Sequence, residues 1–173
     1  MPEAIAATAV IGLGSPLMGD DGVGLAALAQ LQAEFAGDPE LQWVDGGTAG
    51  LGLLPALESA RRVLLLDAVD AGAAPGTVLE LEGDALPRRL AAKLSPHQID
   101  VGELLALAAL RGSLPRELVA FGVQPERVEL GVGLSAPVQA ALVTVVAGAG
   151  ARLRAWGHLG RADAAGAADA RRG

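Results

Sequence analysis

The chain has no cysteine. That absence removes disulfides, thiolate metal sites and a cysteine nucleophile together. Tyrosine is missing too, and only two histidines, His97 and His158, can supply an imidazole. Any chemistry must therefore run on carboxylates, a histidine, serine or threonine hydroxyls and backbone amides. Positive charge is scarce: 13 Lys plus Arg stand against 20 Asp plus Glu, a formal net charge of −7. With no basic stripe to offset the acidity, neither nucleic acid nor an anionic membrane is an expected partner. Met1-Pro2-Glu3 offers no positive flank ahead of an apolar core, so no signal peptide is read there. The most apolar late segment, residues 140–151, is too short and too broken by glycine to span a bilayer. A cytoplasmic monomer is the expectation.

What is present is organised around Ile11-Gly12-Leu13-Gly14-Ser15-Pro16-Leu17-Met18-Gly19-Asp20-Asp21-Gly22-Val23-Gly24. An apolar run enters this stretch and an amphipathic pattern leaves it, which reads as a buried strand, a glycine-rich turn and a helix start. The strand is expected at residues 6–13 and the helix at 22–35. Further strands are read at 41–44, 62–66, 77–81 and 117–123, and helices at 49–59 and 100–110. A long helix capped by Ser135 is expected to run to about Trp156. Residues 86–94 read as short and partly helical, and 124–133 as a loop. This alternation implies an α/β three-layer sandwich: a mostly parallel, twisted sheet of about five strands with helices on both faces. Residues 1–157 form a single domain in this reading. From His158 onward alanine, glycine and charge dominate, so 158–173 is expected to be a loose tail, and His158 is assigned no role.

Parallel strands share one carboxyl edge, where open α/β sheets place their ligands. Asp21 follows the first strand, Asp45 the second and Asp67 the third, and His97 lies in the next long loop. Two carboxylates and an imidazole suit a borderline divalent metal such as nickel or zinc, with positions left open for substrate. Each residue also has a plainer reading. Asp20 and Asp21 stand where helix caps stand, and Asp67 where a carboxylate satisfies loop amides. Asp45-Gly46-Gly47 has the form of a tight turn, and His97 after Pro96 that of a surface-loop histidine.

Other chemistries fit poorly. Gly133-Leu134-Ser135-Ala136-Pro137 is not a nucleophile elbow, because it opens a helix after a loop rather than after a strand. No His-Glu-x-x-His helix is present. Gly12-x-Gly14 lacks the third glycine of the dinucleotide fingerprint, which is Leu17, and the acidic pair would repel a pyrophosphate.

The motifs, taken in order, resemble those of the nickel–iron hydrogenase maturation endopeptidases. The likeness rests on Gly12-Leu13-Gly14-Ser15-Pro16-Leu17 with Asp20-Asp21-Gly22-Val23-Gly24, then Asp45-Gly46-Gly47-Thr48-Ala49-Gly50 and Asp67-Ala68-Val69-Asp70. Pro75-Gly76-Thr77, Ser95-Pro96-His97-Gln98, Gly122-Val123-Gln124-Pro125 and Gly133-Leu134-Ser135 follow, so the likeness spans residues 10–146. The branch serving membrane-associated uptake hydrogenases is the nearest in flavour. The resemblance implies an endopeptidase that removes the C-terminal extension of the hydrogenase large-subunit precursor after nickel insertion. It implies metal contacts and catalysis at Asp21, Asp67 and His97, the nickel arriving with the substrate and no organic cofactor being used. It also implies that Asp45, Gly46, Gly47 and Thr48 receive the extended substrate tail. Some members carry glutamate in place of Asp21, one methylene longer in reach, and asparagine is common in place of Ser15. Two other readings stay open: a nickel or metal-peptide chaperone that never cuts, and a peptidyl-tRNA hydrolase-like protein with its similar first turn. The chain lacks the latter family's Thr-Arg-His segment and its basic surface.

Overall fold

A computed structural model describes residues 6–47, 49–83, 86, 101–163 and 165. Thr48, His97 and most of residues 86–94 lie outside the described residues.

The first strand, β1 (Ala6–Leu13), is apolar but for Thr8, and residues 8–13 are buried, as suits a strand covered on both faces. It passes through a 3-10 turn (Gly19–Gly22) into helix α1 (Val23–Glu34) and then β2 (Leu41–Gly47). The expected helix at 49–59 is instead a 3-10 turn (Gly50–Leu53) running into a five-residue helix, α2 (Leu54–Glu58). Gly50 and Gly52 weaken the α-helical start, and Pro55, which has no N–H to donate, fits only the first turn. Strand β3 (Ala60–Ala68), strand β4 (Val78–Glu82), helix α3 (Val101–Leu110), strand β5 (Glu117–Val123) and helix α4 (Ala136–Ala155) complete the described elements.

The sheet order is β2-β1-β3-β5-β4, parallel throughout except for β4, which runs antiparallel to β5. Alternate residues on each strand serve opposite layers. Val10, Leu64, Leu66, Val119 and Phe121 pack under α1 and α4, whereas Ala9, Ile11, Val63, Leu65 and Ala120 pack under α2 and α3. Two apolar clusters sandwiching one sheet make up the expected three layers. On edge strand β4, Glu80 and Glu82 fall on the α4 side, where both meet the guanidinium of Arg152.

Helix α1 sits unusually low on the sheet. A Cβ placed on Gly24 would lie 2.3 Å from the Leu66 carbonyl oxygen and 2.6 Å from that of Leu13. Only a residue with no side chain allows this approach. Helix α4 is long and apolar enough, by length and composition, to cross a membrane. Residues 140–151 are thus only part of a longer apolar helix. Val138, Leu142, Val145, Ala149 and Leu153 bury one face of it against the sheet and α1, the pattern of a core helix.

The expectation for His158 is corrected. It is 2 % exposed; its Nδ1 lies 3.0 Å from Asp38 Oδ2 and its Nε2 2.7 Å from Thr8 Oγ1. Beyond it, Asp163 accepts hydrogen bonds from Arg154 Nε and Gly160 N. The chain therefore stays packed past the end of α4, because these contacts compensate for the apolar surface that its composition lacks.

Candidate active site

Strand β2 lies on one side of β1 and strand β3 on the other, so the chain leaves β1 at a switch point. A crevice outside the carboxyl ends of β1 and β3 is the place this topology reserves for a ligand. Asp21, on the turn after β1, and Asp67, next to the end of β3, both stand at that edge of the sheet.

Gly14 directly follows β1 and has a φ of 98°, in the left-handed region that favours glycine. A Cβ there would strike the Asp21 carbonyl oxygen at 1.9 Å, so the turn folds back over the strand end only with glycine in place. Asp21 Oδ2 accepts a hydrogen bond of 2.9 Å from the Ser15 N–H, which holds its carboxylate near the mouth of the turn. Neither aspartate of the pair caps α1; Gly22 takes that position without a side-chain bond. Asp21 is half-buried, and the 3-10 turn that carries it packs against β3. Asp67, the last residue but one of β3, is 2 % exposed.

Asp45 and Asp67 stand within their strands rather than just past them, each paired with a glycine: Asp45 with Gly12 and Asp67 with Gly122. Pairing extends this far because the partner strands continue. The register of β1 and β2 shifts between Gly12 and Leu13, so Asp45-Gly46-Gly47 is a bulged strand end and not a free turn. Asp45 is exposed and lines a cleft of about 330 Å³ with Leu25, Leu28, Gln32 and Trp43. It lies to the side of the switch point, on the α1 face. At Gly46 the missing side chain makes room for Leu13 and Leu53 of this same chain. Among the described residues no group of three His, Cys, Asp or Glu side chains is placed to hold a metal ion. Asp21 and Asp67 are the described part of the expected set, and His97 lies outside the described residues.

Two residues that sequence reasoning gave no site role frame the crevice. Asp20 is fully buried, and its Oδ2 accepts hydrogen bonds from Glu126 N (2.9 Å), Arg127 N (3.1 Å) and Ser135 Oγ (2.8 Å). Its Oδ1 accepts one of 2.6 Å from Ser135 N. The Ser135 hydroxyl is thus spent on Asp20 rather than on capping α4. Burial alone pushes the Asp20 carboxyl up; the donors from Ser135, Arg127 and Glu126 outweigh it and hold the pKa below the ordinary 3.8. Gln124, the second residue, accepts from Ala71 N and Ala73 N through Oε1 and donates to Asp70 Oδ1 through Nε2. One residue ties the first turn to the loop after β5, and the other ties that loop to the one after β3. Their only sequence signal was membership in ordered motifs.

Asp20→Asn is expected to cost about 2–3 kcal/mol, because either amide orientation turns its NH₂ onto a backbone N–H. Urea unfolding measures it; a loss below about 1 kcal/mol would mean that the loop is held by other contacts.

Comparison with known proteins adds four findings. Residues 26–150 match the family model described as hydrogenase maturation protease, a stretch that begins after Asp21 and includes Asp45, Asp67 and His97. The hydrogenase expression/formation protein HoxM of Cupriavidus necator is 39% identical over 151 residues, covering 86% of this chain and 75% of that one. The hydrogenase 2 maturation protease of Escherichia coli is 32% identical over 132 residues, 76% of this chain and 80% of its own. Among solved structures, the hydrogenase maturating endopeptidase HybD from E. coli superposes with a TM-score of 0.83 at 30% identity. That match covers 90% of this chain and 98% of the other.

Proposed function

The chain belongs to the hydrogenase maturation protease family, and on that premise we propose that it cuts the C-terminal extension from a nickel–iron hydrogenase large-subunit precursor. The likeness to HoxM and to the HupD proteins supports a place in the uptake-hydrogenase branch. One observation carries the reading: the turn bearing Asp21 packs against β3, the strand that carries Asp67 next to its end, at the sheet's switch point.

In this proposal nickel is part of the substrate. The ion already seated in the precursor docks against Asp21, Asp67 and His97, and so reports that metal insertion is complete. Docking positions the scissile peptide, and positioning is itself a large share of catalysis. Water adds to the peptide carbonyl carbon, the C–N bond breaks and the departing amine takes a proton. Asp21 is the carboxylate that a water reaches, so we assign it the proton transfer; Asp67, buried and fixed in a strand, serves the ion. Asp45, Gly46, Gly47 and Thr48 receive the extended substrate tail. The reaction takes place in the cytoplasm, in keeping with a chain that has no cysteine.

The test is a gel-shift processing assay on purified precursor assembled with and without nickel. Shortening of the nickel-loaded form alone is the expected result. Equal cleavage of both forms would remove nickel from the recognition step. Co-elution without any shortening would make the protein a binding chaperone instead.

A further inference from the structure

Leu130 and Val132 are 84 % and 86 % exposed, and Leu17 is 59 % exposed. They are not scattered. Met18 and Gly131 form a parallel bridge, with Gly131 N donating to the Leu17 carbonyl and Gly19 N donating to the Gly131 carbonyl. Leu17, Leu130 and Val132 therefore flank one small ribbon, and Asp20 locks that ribbon in place from beneath through Arg127, Glu126 and Ser135. Apolar side chains grouped on a rigid, solvent-facing ribbon mark a contact surface rather than chance exposure.

We propose that this ribbon is the lip on which the folded body of the precursor docks, a deepening of the function proposed above that rests on it. The distance argument is direct. Leu17 precedes Asp21 by four residues, at most about 14 Å of extended chain. A specific interface covers about 800 Å² on each partner, a disc of roughly 16 Å radius. A footprint of that size centred on Asp21 takes in the ribbon, so a folded substrate seated over Asp21 lies against Leu17, Leu130 and Val132. The surrounding charges define its partner surface. Glu126 and Glu129 are exposed within four residues of Leu130 in the chain, with Arg127 the one cation between them, and Asp21 follows Leu17 by four; the excess of acids makes the complementary face apolar with a basic fringe.

The experiment compares wild type with the double variant Leu130→Ser, Val132→Ser and with Glu129→Lys, using full-length nickel-loaded precursor as the probe. The affinity is read by biolayer interferometry and processing by KM. All three altered side chains are exposed, so thermal unfolding should match wild type within about 2 °C. The double variant is expected to weaken Kd and raise KM at least tenfold, and Glu129→Lys to slow association severalfold. Kd and KM within twofold of wild type in both variants would overturn the lip while leaving the processing function standing. Wild-type binding that the double variant abolishes, without cleavage by either, would support the lip and overturn the peptidase reading. If wild type is dimeric by light scattering and the double variant monomeric with unchanged precursor Kd, the ribbon is a self-interface and the proposal is wrong.

Discussion

Asp21→Asn is expected to slow processing of nickel-loaded precursor by about a thousandfold, within the range for removal of a positioned acid–base group. The exchange is nearly isosteric. An asparagine carbonyl can still accept the Ser15 N–H bond of 2.9 Å, so the turn keeps its shape. What disappears is the negative charge, and with it, on the proposed mechanism, both the pull on an approaching cation and the acceptor for the water's proton. Asp21 is half-buried and outside the two apolar clusters, so the melting temperature should move by no more than a few degrees. The time course of precursor shortening is the measurement. A rate within tenfold of wild type would take Asp21 out of the mechanism, whereas complete loss accompanied by unfolding would say nothing of chemistry, which is why the melt is recorded beside it.

Gly24→Ala should have the largest effect on folding. Helix propensity alone favours alanine over glycine by about 1 kcal/mol. Contact geometry reverses that sign. The added methyl group would meet two backbone carbonyls, Leu66 at 2.3 Å and Leu13 at 2.6 Å, and neither can rotate away as a side chain would. The helix would have to lift from the sheet and take Val23, Ala27, Leu28 and Leu31 with it out of their packing. A loss of about 4 kcal/mol or more follows, enough to empty the folded state of a marginally stable domain. Gly52→Ala is the control, since a Cβ there meets only Ala49 Cβ at 3.6 Å, an ordinary contact. Urea melts of the two variants should differ by several kcal/mol; equal midpoints would refute the close-approach account.

These two residues also mark how far the sequence could be read. Strands buried on both faces are continuous apolar runs, so β1 and β5 were legible to their end residues. That Asp21 and Asp67 stand at the carboxyl edge of the sheet was read from their places at the ends of apolar runs, whereas the strand order that makes this a switch point was not. Extending β2 through Asp45 and β3 through Asp67 depends on how far the neighbouring strand continues, which no local window contains. Adjacent aspartates look alike in sequence; that Asp20 turns inward is decided by Glu126, Arg127 and Ser135, more than a hundred residues away. His158 escaped for the same reason, its partners Thr8 and Asp38 lying far back along the chain.

Strand β4 ends the sheet among the described strands, and an end strand offers unpaired amides on which another strand can grow. Its Val-Leu-Glu-Leu-Glu sequence carries two exposed acids at alternate places, Glu80 and Glu82, both tethered to Arg152 on the helix above. An incoming strand from a second molecule that annealed in register would stack carboxylate on carboxylate. The margin thus discourages templated fibre growth while the apolar positions between the acids still supply the core.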